Sequence, residues 1–581
     1  MLRLIQYVRD YLKPFGCAIL LKGLGAVTEI FIPLLMGMVI DNGIANNDQR
    51  QIIILCSVML LLTAATLALN LTANNLSSRV TQGMGAELRK TLYGHIQNMK
   101  IQDVENITPA TLITRATNDV ERVQNTLLMM CRVVIRAPTL GIGGIILSLW
   151  IDWKLTMVIF GGMLFVGIIS YFTYRLTFPI FRKVQVNIDR LTLVFREALS
   201  GIKVIKSFNK GEHETERFDS RSQDVCDNEM AAGKVHTVSG STIGLINGLT
   251  VAGVLLAASF RIRDNSLAIG QVITVINYVN QILMAMTMIP RIFMMVSRGN
   301  ISAGRINEVL AITERIGYGS REKADRGADV LSVDNVSFKY QDGDTDALHN
   351  ISFSVKPGET VGVIGGTGAG KSTLLFLLLR LYEPQKGKIL LKGHPISVYS
   401  GKYLHENITA ALQQYNIFAM TLEENITLGA GGGDEEELNH AVVTAQLSDV
   451  VDQLEGRFSY EIAQTGGNLS GGQKQRLNVA RTLYRNAELT ILDDVSSALD
   501  YRTDLKLRSA LRKIGNGRSF LLISQRVSGV RDADRILVLK DGRMEGFDSH
   551  EALLESCGAY REICQAQGAL TDREGCETNA G

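Results

Sequence analysis

The run Gly365-Gly366-Thr367-Gly368-Ala369-Gly370-Lys371-Ser372 fits G-x-x-x-x-G-K-[ST] at every position. Glycines so placed let successive backbone N–H groups turn inward to meet phosphate oxygens. The helix N-terminus that follows adds partial positive charge, Lys371 reaches the outer phosphates, and the Ser372 hydroxyl suits Mg2+. The flanks agree, since Glu359 to Ile364 is apolar enough for a buried strand and Ser372 to Leu379 opens a helix. A glycine-rich turn without a ligand is the bland alternative, and the strand-loop-helix context weighs against it. The octet predicts a site for ATP with Mg2+.

A chain of 581 residues is too long for one core. Its 46% hydrophobic content averages two unlike halves. Before about residue 300 there are repeated apolar runs of membrane-spanning length, and after about 329 the pattern is that of an α/β domain. A net charge of +2 and the lack of an interleaved basic and aromatic patch exclude nucleic acid as a partner. The 7 cysteines show no C-x-x-C pair and read as packing residues and free thiols.

The expected organisation is a short interfacial helix at 1–14, a six-span membrane domain at 15–300, a polar linker at 301–329, an α/β phosphate-loop domain at 330–566 and a disordered tail at 567–581. The spans are expected near 15–40, 52–78, 128–150, 155–178, 238–260 and 268–297, with helices continuing out of the bilayer between the second and third and between the fourth and fifth. Six spans put both termini on one side, and a domain that uses ATP places that side in the cytoplasm of a plasma membrane protein. Within the spans Lys22 and Glu29 share nearly one helical face, and Asn277, Asn280 and Gln281 cluster in the sixth. Glu29 and these three amides are candidates for lining a substrate cavity. Lys22 and Arg291 either do the same or snorkel to the interface. Two interruptions of long helical patterns, at 109–120 and 208–214, have the look of docking elements. The glycines at 429–433 read as a surface turn.

Further motifs follow in order. Tyr340 lies ahead of the phosphate loop, Gln413 opens Gln413-Gln414-Tyr415-Asn416-Ile417-Phe418, and Leu469-Ser470-Gly471-Gly472-Gln473-Lys474-Gln475-Arg476 opens a helix. Leu489 to Asp494 is a buried strand ending in two carboxylates, then come Ser496 to Asp500 and Leu521 to Arg526. In order and spacing the chain resembles the ABC transporters, in particular exporter half-transporters with six spans fused ahead of one nucleotide-binding domain. The resemblance implies that Tyr340 stacks on adenine, that Gly365 to Thr373 hold the phosphates, and that Ser372, Gln413 and Asp493 serve the metal. It also implies that Ser470, Gly471, Gly472 and Gln473 form the signature, with Asp500 in the D-loop. Such a signature completes an ATP site across a dimer, so the implied partner is a second half-transporter subunit, with membrane lipids around it and a small-molecule, lipid or peptide cargo.

Two positions depart from the family pattern. Asp494 stands where the family has the glutamate that polarises the attacking water, and Gln525 where it has a histidine on the γ-phosphate. A carboxylate one methylene short is poorly placed as a general base, and an amide carries no charge. Gln464, ahead of the signature, is a third departure. The pattern resembles the degenerate-site subunit of a heterodimeric multidrug or lipid exporter. A regulatory ATP-binding subunit and a homodimeric exporter using Asp494 are the alternatives.

Overall fold

Apolar periodicity and caps set the helical half. Among the described residues of the computed structural model six helical runs are long and apolar enough to cross a membrane, Arg9–Ile44, Gln49–Gln97, Pro109–Ile151, Trp153–Ser200, Gly211–Arg263 and Ile269–Leu310. Each of the first five contains one expected span, and the sixth takes up its span from Ile269, one residue later than expected. The structure describes residues 7, 9–264, 266–312, 317–323, 329–341, 343, 345–430, 434–514 and 517–568, with 290 and 291 by their backbone alone. The tail beyond 568, the glycines 431–433 and the side chain of Arg291 lie outside these residues, as does half of the expected interfacial helix, whose described residues 9–14 run into the first long helix.

The helices are α1 (Leu12–Met38), α2 (Gln49–Gln97), α3 (Ile101–Ile107), α4 (Pro109–Thr114), α5 (Val120–Met129), α6 (Arg136–Ile151), α7 (Trp153–Ser200), α8 (Ile202–Ser207), α9 (Gly211–Arg263) and α10 (Ile269–Leu310). At 1.5 Å per residue α2, α7 and α9 run to roughly 70–80 Å, more than twice the hydrocarbon thickness, so they continue well beyond the bilayer. Caps fix the short outer links. Asp48 accepts from Gln51 N at 3.1 Å ahead of α2. Asp152 accepts from Lys154 N and Leu155 N at the start of α7 and pairs with Arg261 at 2.8 Å. Asp41 reaches the start of α10, accepting from Gly270 N at 2.6 Å and Gln271 N at 3.1 Å. A Cβ on Gly270 would sit 2.1 Å from the Gly37 carbonyl oxygen, so the contact requires glycine there.

The chain divides into two compact units, one of residues 1–98 and 107–313 and one of residues 99–106 and 314–581. This corrects the first docking expectation. The segment 109–120 stays with the helical unit as α4 and a π-helical turn at Arg115–Asp119. The eight residues before it, which carry most of α3, belong with the α/β unit: Ile101 packs on its core and the Tyr382 hydroxyl donates to the Glu105 carboxylate. In the second expected segment 208–210 is the turn into α9 and 211–214 its first turn, while the short cross-helix is α8, just ahead of the segment. The membrane-domain boundary also moves, because α10 runs to Leu310, past the expected linker start at 301. Polar residues there are paired, with buried Ser302 donating from Oγ to Asp119 Oδ1 at 2.7 Å and Arg115 bridging to the exposed Glu308 at 3.2 Å.

The described residues of the α/β unit form ten strands: β1 (Leu331–Phe338), β2 (Leu348–Val355), β3 (Thr360–Ile364), β4 (Lys386–Leu391), β5 (His394–Pro395), β6 (Ile408–Ala411), β7 (Leu489–Asp493), β8 (Ser519–Ser524), β9 (Arg535–Lys540) and β10 (Arg543–Asp548). A four-stranded sheet runs β2-β1-β4-β5 and a six-stranded one β10-β9-β3-β8-β7-β6. Within the second, β9, β3, β8, β7 and β6 are mutually parallel. Strand β7 is buried along its whole length, which is why it reads as an unbroken apolar run. The linker is docked on this unit. Gly319 N donates to Tyr399 O and Arg321 N to Val398 O, Arg380 donates to Gly317 O at 2.9 Å, and the Tyr318 hydroxyl meets His405 Nε2 at 3.1 Å.

Candidate functional site

Parallel pairing gathers the expected residues at one sheet edge. Ile364 pairs with Ser524, Asp493 with Ile523 and Ala411 with Leu492. The phosphate loop after β3, Gln525 after β8, Asp493 and Asp494 at the end of β7 and Gln413 after β6 therefore all leave from the carboxyl ends of adjacent strands, where open α/β sheets hold ligands.

The loop itself is conformationally restricted to glycine. Gly368 and Gly370 have φ of 82° and 97°, and a Cβ on Gly365 would sit 2.3 Å from Leu539 O. Lys371 begins the helix Lys371–Leu378, 9% exposed, and donates to Gly365 O and Gly366 O at 2.7 Å each. Its ammonium is held over the loop, where burial depresses its pKa and Asp493 and Asp494 oppose that fall. Thr373 Oγ1 meets the Tyr340 hydroxyl at 3.1 Å, so Tyr340 lies beside the loop's helix. Its ring is packed edge-on against Phe338 and Tyr382, with centroids 5.0 and 5.5 Å away.

Asp493 is buried, and burial together with the neighbouring Asp494 pushes its carboxyl up to about 6. The Gln413 backbone N–H and Lys371 work against that rise. Ser372 is exposed on the first turn of its helix and Gln413 is exposed at the end of β6. A hydroxyl, an amide and a carboxylate offer oxygen ligands of the kind Mg2+ takes alongside phosphates. The glycine cradle, Lys371 and this oxygen set fit ATP with Mg2+.

Asp494 makes the turn out of β7 in the left-handed region, φ 47°. Its N–H donates to Ile523 O at 2.8 Å, which ties its backbone to β8. Gln525 is exposed after β8, and its carbonyl accepts from Gln567 Nε2 at 2.8 Å.

The signature has a local structural cause. Ser470 caps the helix Gly471–Tyr484, its Oγ accepting from Gln473 N at 3.3 Å while Gln473 Oε1 accepts from Ser470 N at 2.8 Å. This reciprocal pair is a capping box. Gly472 lies against the Ala498 carbonyl, 3.1 Å from where its Cβ would be, which joins the signature to the D-loop segment. Asp500 caps the helix after that segment, accepting from Thr503 N at 3.0 Å. Among the described residues the signature's recorded contacts do not reach the phosphate loop.

Three residues of the signature helix escaped the sequence reading. Gln475 Nε2 donates to Asp494 O at 2.9 Å and its Oε1 accepts from Ala498 N at 3.0 Å. Asn478 donates to Leu412 O at 3.1 Å, and Arg481 to Asn416 O at 2.9 Å. Their spacing of three places them along one helical face that fixes the Asp494 turn and both sides of Gln413. Polar residues at that spacing are the only signal the sequence offers.

The comparisons bear on this geometry. Residues 15–286 match the ABC transporter transmembrane region and residues 348–497 the ABC transporter domain. An uncharacterized ABC transporter ATP-binding protein of Bacillus subtilis is 33% identical over 98% of this chain and 100% of its own. The chain belongs to the ABC transporters. An ATP-dependent lipid A-core flippase of Chromobacterium violaceum is 29% identical over 97% of each chain. The solved structure of a bacterial Atm1-family ABC exporter with ATP bound shares the fold, with a TM-score of 0.77, 22% identity and coverage of 97% of this chain and 99% of that one. This ABC transporter thus joins six helices able to span a membrane to a cytoplasmic nucleotide-binding domain, in the fold of that exporter.

In the membrane unit the cavity candidates do not form one cluster. Glu29 pairs with Arg136 at 2.7 Å, Asn277 donates to Ile273 O in its own helix, and Asn280 accepts from Asn247 of α9 at 3.0 Å. Gln281 Oε1 is buried without a hydrogen-bond partner. A separate apolar groove of about 580 Å3 lies between α7 and α10, lined by Phe160, Met163, Leu164, Tyr171, Phe172 and Met286 among others.

Proposed function

We propose that this exporter subunit works as half of a heterodimer, binds ATP and Mg2+ at its own phosphate loop, hydrolyses that ATP slowly, and exports an amphipathic or hydrophobic substrate. The observation that carries the reading is Asp494. The base position holds a carboxylate one methylene short, on a backbone pinned by Ile523 O and Gln475, so the turn is not free to move forward and make up the reach. A displacement of about an ångström at a general base costs roughly a hundredfold. At the second position Gln525 offers a hydrogen bond without charge.

The proposed roles follow from the placement. Gly365 to Thr373 hold phosphates, Tyr340 lies at the adenine end, and Ser372, Gln413 and Asp493 would hold the metal, which neutralises phosphate charge when bound. Ser470 to Gln473, whose described contacts are with their own helix, Tyr415 and the D-loop segment, act on the partner's ATP. The apolar, Met-containing groove between α7 and α10 supports a hydrophobic cargo, as does the resemblance to a lipid A-core flippase.

The test uses the assembled pair. Gly471→Asp or Ser470→Ala in this chain should depress the ATPase rate strongly and Asp494→Ala only slightly. Equal loss from both classes of variant would establish Asp494 as a working base and a homodimer-like cycle.

A further inference from the structure

The membrane unit contains more positive charge than it neutralises. Lys22 of α1 is 8% exposed, so it does not snorkel to water; its ammonium donates to Asn70 Oδ1 at 2.7 Å and Asn74 Oδ1 at 3.3 Å, both on α2. An ammonium has three donors, and these two acceptors are neutral amides that solvate the charge without cancelling it. Arg132, in the π-helical turn Met130–Val134, donates to Ser78 Oγ at 2.8 Å and has its Nε buried without a hydrogen-bond partner. Arg136, four residues on, pairs with Glu29. Among the described residues, Arg136, Arg132 and Glu29 are the charged groups that act on Lys22. Three cations and one carboxylate leave two positive charges uncompensated.

Their depth is set by the helices. Counting at 1.5 Å per residue, Lys22 lies roughly 24 Å inward from the outer end of α1 and Arg136 roughly 22 Å inward from that of α6, near the cytoplasmic side of a hydrocarbon core about 30 Å thick. Ionisable groups at membrane depth face a cavity or a partner of opposite charge.

We propose that Lys22, Arg132 and Arg136 bind the acidic headgroup, phosphate or carboxylate, of an amphiphile entering from the cytoplasmic leaflet. The proposal rests on the exporter reading and narrows its cargo to anionic amphiphiles. Arg132 and the third donor of Lys22 make the first contact, and Arg136 joins when Glu29 yields it.

The full-length chain, in the assembly in which it is isolated, is placed in phosphatidylcholine nanodiscs without ATP and titrated with a photoactivatable dodecyl phosphate. A trimethylammonium probe of the same chain length and inorganic phosphate as competitor are the other arms. The phosphate amphiphile should label the protein saturably, inorganic phosphate should not compete at equal concentration, and the ammonium probe should not saturate. Lys22→Gln with Arg132→Gln should raise half-saturation at least tenfold, Arg132→Gln alone at least threefold, and Glu29→Gln should lower it. Equal labelling by the ammonium probe, competition by inorganic phosphate, or unchanged half-saturation in folded Arg132→Gln overturns the proposal. Because binding is read without turnover, failure of the exporter reading would show separately, as labelling intact in a complex that transports nothing.

Discussion

The side-chain amide of Gln475 donates to the main-chain carbonyl of Asp494 at 2.9 Å, so the helix that begins with the signature holds the turn that carries the would-be catalytic carboxylate. With Ala498 N donating back to the same side chain, one glutamine links signature, strand end and D-loop.

Gln475→Ala removes its bonds to Asp494 O, Ser497 Oγ and Ala498 N, while Asp494 O keeps those from Ser497 N and Oγ, so it should cost about 0.5–1.5 kcal/mol of domain stability. ATP turnover of the assembled pair should fall with it. Gln475→Glu keeps the acceptor for Ala498 N but sets a buried carboxylate against Asp494 O, so it should cost more than the alanine. Thermal unfolding read beside ATPase rate separates loss of fold from loss of positioning.

Lys371→Ala should weaken ATP binding at this chain's own loop by roughly ten- to a hundredfold, the worth of a charge-assisted hydrogen bond. Photolabelling with a nucleotide analogue measures it. Undiminished labelling would remove the site assignment.

Asp494→Glu with Gln525→His returns a full-length base and a chargeable contact to an otherwise complete site. Turnover at this site should rise when the partner's base is disabled and its signature intact. Because residue 494 is left-handed, where Asp is better tolerated than Glu, the variant should also unfold at slightly lower temperature. No gain in turnover with ATP bound would show that these two positions do not limit the site.

His405 gives a pH dependence. Burial lowers its pKa from 6.5, and Arg485 and Arg380 add to the fall. A base whose folded pKa is depressed takes up more protons when unfolded, so stability rises with pH in that window. The linker contact through Tyr318 should be fully present above pH 6.5 and weaken as pH falls below it. Limited proteolysis of the linker between pH 7.5 and 5.5 measures this, and His405→Gln should flatten the profile.

The phosphate loop, the strand ends and the signature were legible because their causes are local: glycine torsions, apolar runs and the capping box of Ser470 and Gln473. The six spans were legible by length. What escaped is pairing between distant residues, which leaves no period in the sequence. Arg136 at the edge of an apolar run looks like a flank until Glu29, 107 residues away, is seen beside it. Asp119 likewise turns Ser302 and Arg305 from linker polarity into a buried seat for α10. The first docking element was placed a few residues late, because the Pro and Asn of 109–120 announce a break while the contact belongs to Ile101 and Glu105.

That eight-residue loan has a consequence for dissection. A fragment cut in the linker would keep the phosphate loop, both sheets and the signature, yet would be born with a vacancy: Tyr382 without Glu105, and apolar surface bared where Ile101 sat. Severing the linker in the intact chain would leave 314–581 tied to residues 99–106 by noncovalent contacts, Ile101 on the core and Tyr382 on Glu105, while those eight residues stay covalently joined to the helical unit. The nucleotide-binding half is thus a domain by folding but not by covalent continuity, and its graft must travel with it.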